Sequence, residues 1–237
     1  MLRLFAPLAL LAACAPAEGT PRGSGPAGPL VLELFTSQGC SSCPPADRLL
    51  DKLAATGIDG TELAPLSFHV DYWDDLGWPD PYASPAWTER QRQYAVALND
   101  KSVYTPELVV GGRAGMVGSN AVAISAAIAR AERPALLSAT AAWRERTVVV
   151  TAVAPADADV LVAVWEDGTK TAVPRGENAG ETLRGDRVVR RLERVAKAGE
   201  RGTLTVALAP GWKIGGAVAF AQRPDKAIVA SALLRRD

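Results

Sequence analysis

Hydrophobic positions along this chain follow two patterns in succession. Between about residues 30 and 131, short apolar runs alternate with segments of helical spacing. Leu30-Val31-Leu32-Glu33-Leu34-Phe35 is nearly continuous in apolar residues, the mark of a strand buried on both faces. Leu49, Leu50 and Leu53 then recur at helical spacing behind Cys43-Pro44-Pro45. Proline is tolerated in a first helical turn, Ser42 stands where a cap is expected, and Gly57 ends the run. A second buried strand is read at Leu63–Val70, broken early by Pro65, and the aromatic, proline-rich stretch Asp71–Pro85 is read as a loop. Ser84-Pro85 opens a second helix with Trp87, Gln91, Tyr94 and Leu98 along one stripe. Thr105-Pro106 opens a third strand that runs to Val110 and turns at Gly111-Gly112 into a short strand at Ala114–Val117. An Ala-rich helix, Asn120–Ala131, completes the order β-α-β-α-β-β-α.

Past Arg133-Pro134 only strand patterns remain: Thr147–Val153, Asp159–Glu166, Asp186–Leu192, Thr203–Leu208, Gly216–Gln222 and Ala227–Leu234. Turn signals such as Glu166-Asp167-Gly168, Pro174-Arg175-Gly176 and Ala209-Pro210-Gly211 separate them. Short strands at this spacing predict a small antiparallel β-sandwich. The expected organisation is an α/β domain over residues 30–134 followed by a β-sandwich domain over 135–237.

The N-terminus changes the picture of where such a chain works. Residues 1–14 combine Arg3, a short apolar stretch and small residues ending in Ala12-Ala13-Cys14, the make-up of a secretory signal. The stretch is too short for a permanent membrane span. Residues 15–29 are proline, glycine and small polar residues, read as a flexible tether. Leu11-Ala12-Ala13-Cys14 resembles the lipobox of bacterial lipoproteins, in which the cysteine is diacylated; the alternative is an ordinary signal and an incidental cysteine. Ala15, in place of an acidic residue, resembles lipoproteins sent to the outer membrane. The resemblance implies a membrane partner through a lipid on Cys14, at the periplasmic face of the outer membrane.

Composition narrows the chemistry. Lys plus Arg number 26 and Asp plus Glu number 26, so no basic footprint points to nucleic acid. Of three cysteines, Cys40 and Cys43 remain beside Cys14, and one close pair is not a disulfide scaffold. The pair is redox-active, metal-binding or a local staple. Its place between a strand and a helix favours a thiolate, through the helix dipole and free backbone N–H groups.

The element order, with CxxC after the first strand and Thr-Pro opening the third, is similar to that of the thioredoxin fold. The run Phe35-Thr36-Ser37-Gln38-Gly39-Cys40-Ser41-Ser42-Cys43-Pro44-Pro45-Ala46-Asp47 resembles the signature of an uncharacterised family of secreted bacterial thioredoxin-like proteins. So do Phe68-His69-Val70-Asp71-Tyr72-Trp73-Asp74, Arg90-Gln91 with Tyr94, and Val103-Tyr104-Thr105-Pro106. The chain departs from thioredoxin in having Gly39 where a Trp precedes the first cysteine and Ser41-Ser42 between the cysteines. Glu33 lies one residue out of register with thioredoxin's buried acid.

The resemblance implies thiol–disulfide exchange with protein or peptide partners and with a further redox protein, using the dithiol and no other cofactor. Cys40 is expected as the exposed nucleophile and Cys43 as the resolving thiol. Thr105-Pro106 is expected as a cis-proline loop that pairs with an incoming peptide strand. Tyr72 and Trp73, in the aromatic loop, either grip substrate or pack the loop onto the sheet. His69, the one histidine, is a proton shuttle, a metal ligand or a structural residue. A second reading takes Cys40, Cys43 and His69 as a Cu(I) site in a copper chaperone, which resembles Sco-type proteins apart from their wider cysteine spacing. A third is a binding module with a structural staple. Asp71, Asp74, Asp75 and Asp80 match no Ca²⁺ loop spacing, Trp143, Trp165 and Trp212 read as core or interface residues, and Gln222 has no assigned role.

Overall fold

The computed structural model describes residues 26–58 and 60–236. Strand β1 (Leu30–Thr36) is flanked by β2 (Leu63–His69), parallel, and by β3 (Glu107–Val110), antiparallel, and all its residues are buried. This explains the unbroken apolar run, because neither face meets water. The two faces still differ, since successive side chains point opposite ways. Leu30, Leu32 and Leu34 pack against Ala46, Leu50 and Leu53 of α1 (Pro44–Thr56) and Ile124 and Ile128 of α3 (Ala121–Arg130). Val31 and Phe35 point the other way, toward Trp87 and Tyr94 of α2 (Pro85–Leu98). Ser84 caps α2 by accepting from the Ala86 N–H at 3.3 Å, and Asn120 caps α3 by accepting from Ala123 at 3.1 Å. β4 (Ala114–Val117) folds back on β3 through Gly111 and Gly112, whose φ angles of 58° and 73° suit glycine.

Beyond Pro134 come β5 (Ala135–Leu136), β6 (Ala139–Trp143), β7 (Thr147–Val153), β8 (Asp159–Glu166), β9 (Thr169–Ala172), β10 (Thr182–Gly185), β11 (Val188–Ala196), β12 (Arg201–Ala207), β13 (Ile214–Gln222) and β14 (Ile228–Leu234). The architecture is mixed α/β: among the described residues, three α-helices and a nine-stranded sheet of order β4-β3-β1-β2-β11-β8-β13-β14-β5. A three-stranded sheet, β12-β7-β6, covers the C-terminal strands of the large sheet over a Val- and Ala-rich core. The remaining pair, β9-β10, stands apart as a two-stranded hairpin.

The large sheet runs through the expected boundary at residue 134. Val188 of β11 pairs with Ser67 of β2, whose N–H donates to the Arg187 carbonyl at 2.9 Å. Ala163, Trp165, Val218 and Phe220 share one core with Val31, Phe35 and Phe68. Strands β5, β6, β9 and β10 lie where the sequence reading has none. β5 and β6 are Ala-rich, a composition poor in strand formers, and β9 and β10 are four residues each. The expected tether also ends sooner. The Gly28 N–H donates to the Pro134 carbonyl at 2.9 Å, and the Ser231 hydroxyl donates to the Pro29 carbonyl at 2.5 Å. A Cβ on Gly28 would fall 2.2 Å from the Ser231 oxygen, so only glycine lets this segment lie against β14. The signal segment, Cys14 and residues 15–25 lie outside the described residues. Among the described residues no helix is long and apolar enough to cross a membrane.

Candidate functional site

Cys40 and Cys43 form a disulfide, with Cα atoms 5.5 Å apart, at the point where β1 hands the chain to α1. The turn closes through the Cys43 N–H donating to the Cys40 carbonyl at 3.2 Å. The N-cap is Cys43 itself, without a side-chain hydrogen bond, rather than Ser42. Pro44 and Pro45 have no N–H, so the first donors of the helix belong to Ala46 and Asp47, and both bond back to the Cys43 carbonyl, at 2.8 and 3.1 Å. The free N–H groups expected to stabilise a thiolate are therefore fewer than in an ordinary helix start, although the dipole remains. The Ser42 hydroxyl turns instead to Cys40 Sγ, 3.3 Å away.

Cys40 was expected to be exposed; it is 0% exposed, as is Cys43, while Ser41 and Ser42 between them are open to solvent. The β9-β10 hairpin, which the sequence reading does not contain, bonds across the cysteine loop. The Asn178 carboxamide donates to the Gln38 carbonyl at 2.8 Å and to the Cys40 carbonyl at 3.1 Å. Glu177 accepts from the Ser41 N–H at 2.9 Å, and this bond holds its carboxyl below the usual pKa. Gln38 donates to Thr171 at 3.1 Å and accepts from the Trp78 indole at 3.3 Å. The signal in the sequence was slight: Thr169, Thr171 and Val173 alternate with Lys170 and Ala172 between Gly168 and Pro174.

Thr105-Pro106 is a cis peptide. Trp73 links this loop to the cysteines. Its indole donates to the Thr105 hydroxyl at 2.8 Å, and its Cβ lies 3.0 Å from where a Cβ on Gly39 would stand. Trp73 thus lies with its Cβ against Gly39 and its indole on Thr105. Tyr72 turns elsewhere, donating to Gln91 at 3.2 Å, and burial raises its pKa to about 12. Pro106 packs beside Ala46 near Gly118.

Below the cysteines lies a buried polar cluster. His69 Nδ1 and Asp80 Oδ2 are 2.6 Å apart, and the same oxygen accepts from the Gln38 N–H at 2.7 Å. Burial works against the charge on both groups. The ion pair overcomes it, raising the His69 pKa and lowering that of Asp80. Asp47, four residues past Cys43 on α1, is half-buried as a residue, but its Oδ1 is closed off from solvent and meets no partner at bonding distance among the described residues. Burial raises its pKa to about 6, against the opposing charge of His69 and the neighbouring Thr36 hydroxyl. A cavity of about 20 Å³, room for one water, touches Gln38, Asp47, His69 and Thr169. Asp47 is thus a carboxyl beside this pair that keeps its proton to about pH 6. Among the described residues no three His, Cys, Asp or Glu side chains are arranged to hold a metal ion, and His69 Nδ1 faces Asp80.

Glu33 belongs to the other side of the sheet. Arg90 donates to its carboxylate at 2.5 and 2.9 Å, Tyr94 at 2.5 Å, and Gln222 joins through Tyr94 at 2.9 Å. Its one-residue offset puts it with Val31 and Phe35, away from α1 and the cysteines.

A family profile described as protein of unknown function (DUF1223) matches residues 31–222. A crystal structure of an Agrobacterium tumefaciens protein from a structural genomics consortium is 30% identical, with a TM-score of 0.69, covering 90% of this chain and 97% of that one. HBP35 of Porphyromonas gingivalis, 15% identical, has a TM-score of 0.62 over 90% of this chain and 76% of that one, a likeness of fold. Among curated proteins nothing matches.

Proposed function

The chain belongs to the DUF1223 family of proteins of unknown function, and from the site it carries we propose that it exchanges thiols and disulfides with protein or peptide partners. The observation that supports this most is the Cys40–Cys43 disulfide at the start of α1, with the titratable carboxyl of Asp47 one helical turn beyond it. In this reading the N-terminal elements are a thioredoxin-like unit, and the two C-terminal sheet layers are a small sandwich grown onto its sheet.

In the reducing direction, the Cys40 thiolate attacks one sulfur of a substrate disulfide. The substrate S–S bond breaks, and its other sulfur leaves as a thiolate that takes up a proton. Cys43 then loses its proton and attacks Cys40 Sγ, releasing the second substrate thiol and closing the Cys40–Cys43 disulfide. Two electrons pass from the dithiol to the substrate, and the reverse sequence oxidises a substrate dithiol. Asp47 lies on the same helix face as Cys43, four residues on, and holds the resolving proton near neutral pH. Trp73 and Thr105 flank the cysteines where a peptide would approach. The reading puts the protein at the periplasmic face of the outer membrane, anchored through Cys14; its support is the N-terminal sequence.

The test is equilibration of the pair in glutathione buffers, read by thiol trapping. A potential between about −270 and −120 mV is expected, the range of working oxidoreductases, and a bond still closed well below about −300 mV would mark a structural staple. Cys40→Ser should abolish exchange with a model disulfide substrate, and Cys43→Ser should accumulate the mixed disulfide on Cys40.

A further inference from the structure

The sealing of Cys40 is at odds with any exchange reaction, because a sulfur with no exposed surface cannot be reached in line with its S–S bond. Across the cysteine loop lies the β9-β10 hairpin, bonded to it at Gln38, Cys40 and Ser41. β9 and β10 pair with each other over four residue pairs and with neither of the two larger sheets. A two-stranded hairpin on its own is marginal in water, and this one rests on the rest of the chain through buried Thr169, Val173 and Asn178 and through Gly176 against Trp78. Gly168, Gly176 and Gly180, at its base and tip, have φ of 66°, 86° and 88°, and no atom would crowd a Cβ at Gly168 or Gly180. The tip meets the cysteine loop through polar contacts. Asn178 donates to the carbonyls of Gln38 and Cys40, and Glu177 accepts from the N–H of Ser41. Two backbone acceptors and one backbone donor beside the reactive sulfur are thus met by side chains that copy a peptide's N–H and C=O. Next to them, between α1 and β10, a groove of about 560 Å³ opens at Ser41 and Pro44 and carries Arg48, Asp51 and Arg184.

We propose that the hairpin tip, residues 174–181, is a lid docked in the place of substrate, and that an extended cysteine-containing peptide opens the site by taking over the contacts of Asn178 and Glu177 with Gln38, Cys40 and Ser41. The identity of the occupant rests on the exchange reading above; the lid itself does not. The site is closed to small thiols in the resting protein, and its backbone groups become a short edge to which a peptide strand adds.

The experiment measures the rate at which dithiothreitol reduces the Cys40–Cys43 bond in the full chain, in the wild type and in Glu177→Gln, Asn178→Ala and the double variant, beside the urea midpoint of each oxidised protein. The expected result is a rise of about threefold for Glu177→Gln and of tenfold or more for the double variant, with midpoints close to the wild type. Glu177 is exposed, so Glu177→Gln keeps the fold and gives a readout even where Asn178→Ala does not. Rates within twofold of the wild type would overturn the lid. So would gains that track a falling urea midpoint, since these report general unfolding. Dithiothreitol reads access alone. A gated disulfide without exchange activity would overturn the functional reading and leave the lid, and ungated rates with exchange activity would do the reverse.

Discussion

At the scale of single residues, the chemistry turns on which face of an element a side chain takes. Asp47 comes to the cysteine site because it lies one turn past Cys43, and its burial has a measurable consequence. Its folded pKa of about 6 exceeds its ordinary value of 3.8. The folded state thus binds the proton more tightly, and stability falls as pH rises from about 4 to about 6 and then levels off. Asp47→Asn removes this penalty. It is expected to be more stable than the wild type at pH 8 by about 1–3 kcal/mol, the upper figure being the full shift converted at 1.36 kcal/mol per unit. The difference should vanish below about pH 3, under the ordinary carboxyl pKa. Urea titrations at the two pH values check it; equal gains at both would assign the effect to packing instead. Glu33 is the counter-case, an acid near the expected position in sequence whose side chain belongs to a buried Arg90–Tyr94–Gln222 network. Breaking such a pair leaves a buried charge unmatched, so its role is in the fold.

Among the elements, β1, α1, β2, α2, β3, β4 and α3 lie close to where the hydrophobic pattern puts them, because each carries its own signal: a continuous apolar run, a helical stripe with capping residues, or a Gly-Gly turn. Strands β5, β6, β9 and β10 carry none of comparable strength. Four-residue and Ala-rich segments become strands only when a partner strand is already in place. Joints between elements behave likewise. The β3-β4 turn at Gly111-Gly112 meets the turn before β14, where the Ile228 N–H donates to the Gly111 carbonyl at 3.0 Å. A Cβ on Gly112 would fall 1.9 Å from the Lys226 carbonyl oxygen, and its φ is 73°. Gly112→Ala is therefore expected to lower stability by about 2 kcal/mol or more, through both strain and the parting of two chain-distant turns. The urea midpoint measures this, and a change under about 0.5 kcal/mol would mean that the joint adapts.

For the molecule as a whole, the sheet and one core cross residue 134. Trp73, Trp78 and Trp87 lie before that point and Trp143, Trp165 and Trp212 after it, so tryptophan fluorescence reports on both parts. Unfolding followed by fluorescence and by far-ultraviolet circular dichroism should give one coincident transition. A fragment of residues 30–134 leaves Phe35, Phe68 and Trp87 without Phe220, Val218 and Trp165, and should lack a cooperative transition of its own. Two separate transitions in the full chain would overturn this. Local sequence by itself determined the mixed α/β class, the order of the N-terminal elements, the Ser84 cap of α2, and the cysteine pair at the strand-to-helix junction. These follow from side-chain periodicity and backbone preference within a dozen residues. Only the tertiary structure decided that the two parts share one sheet, that His69 Nδ1 meets Asp80, and that a hairpin about 140 residues from Cys40 bonds to its loop. Those outcomes depend on hydrogen bonds and burial between segments far apart in the chain, and a pattern read along the chain carries no term for them.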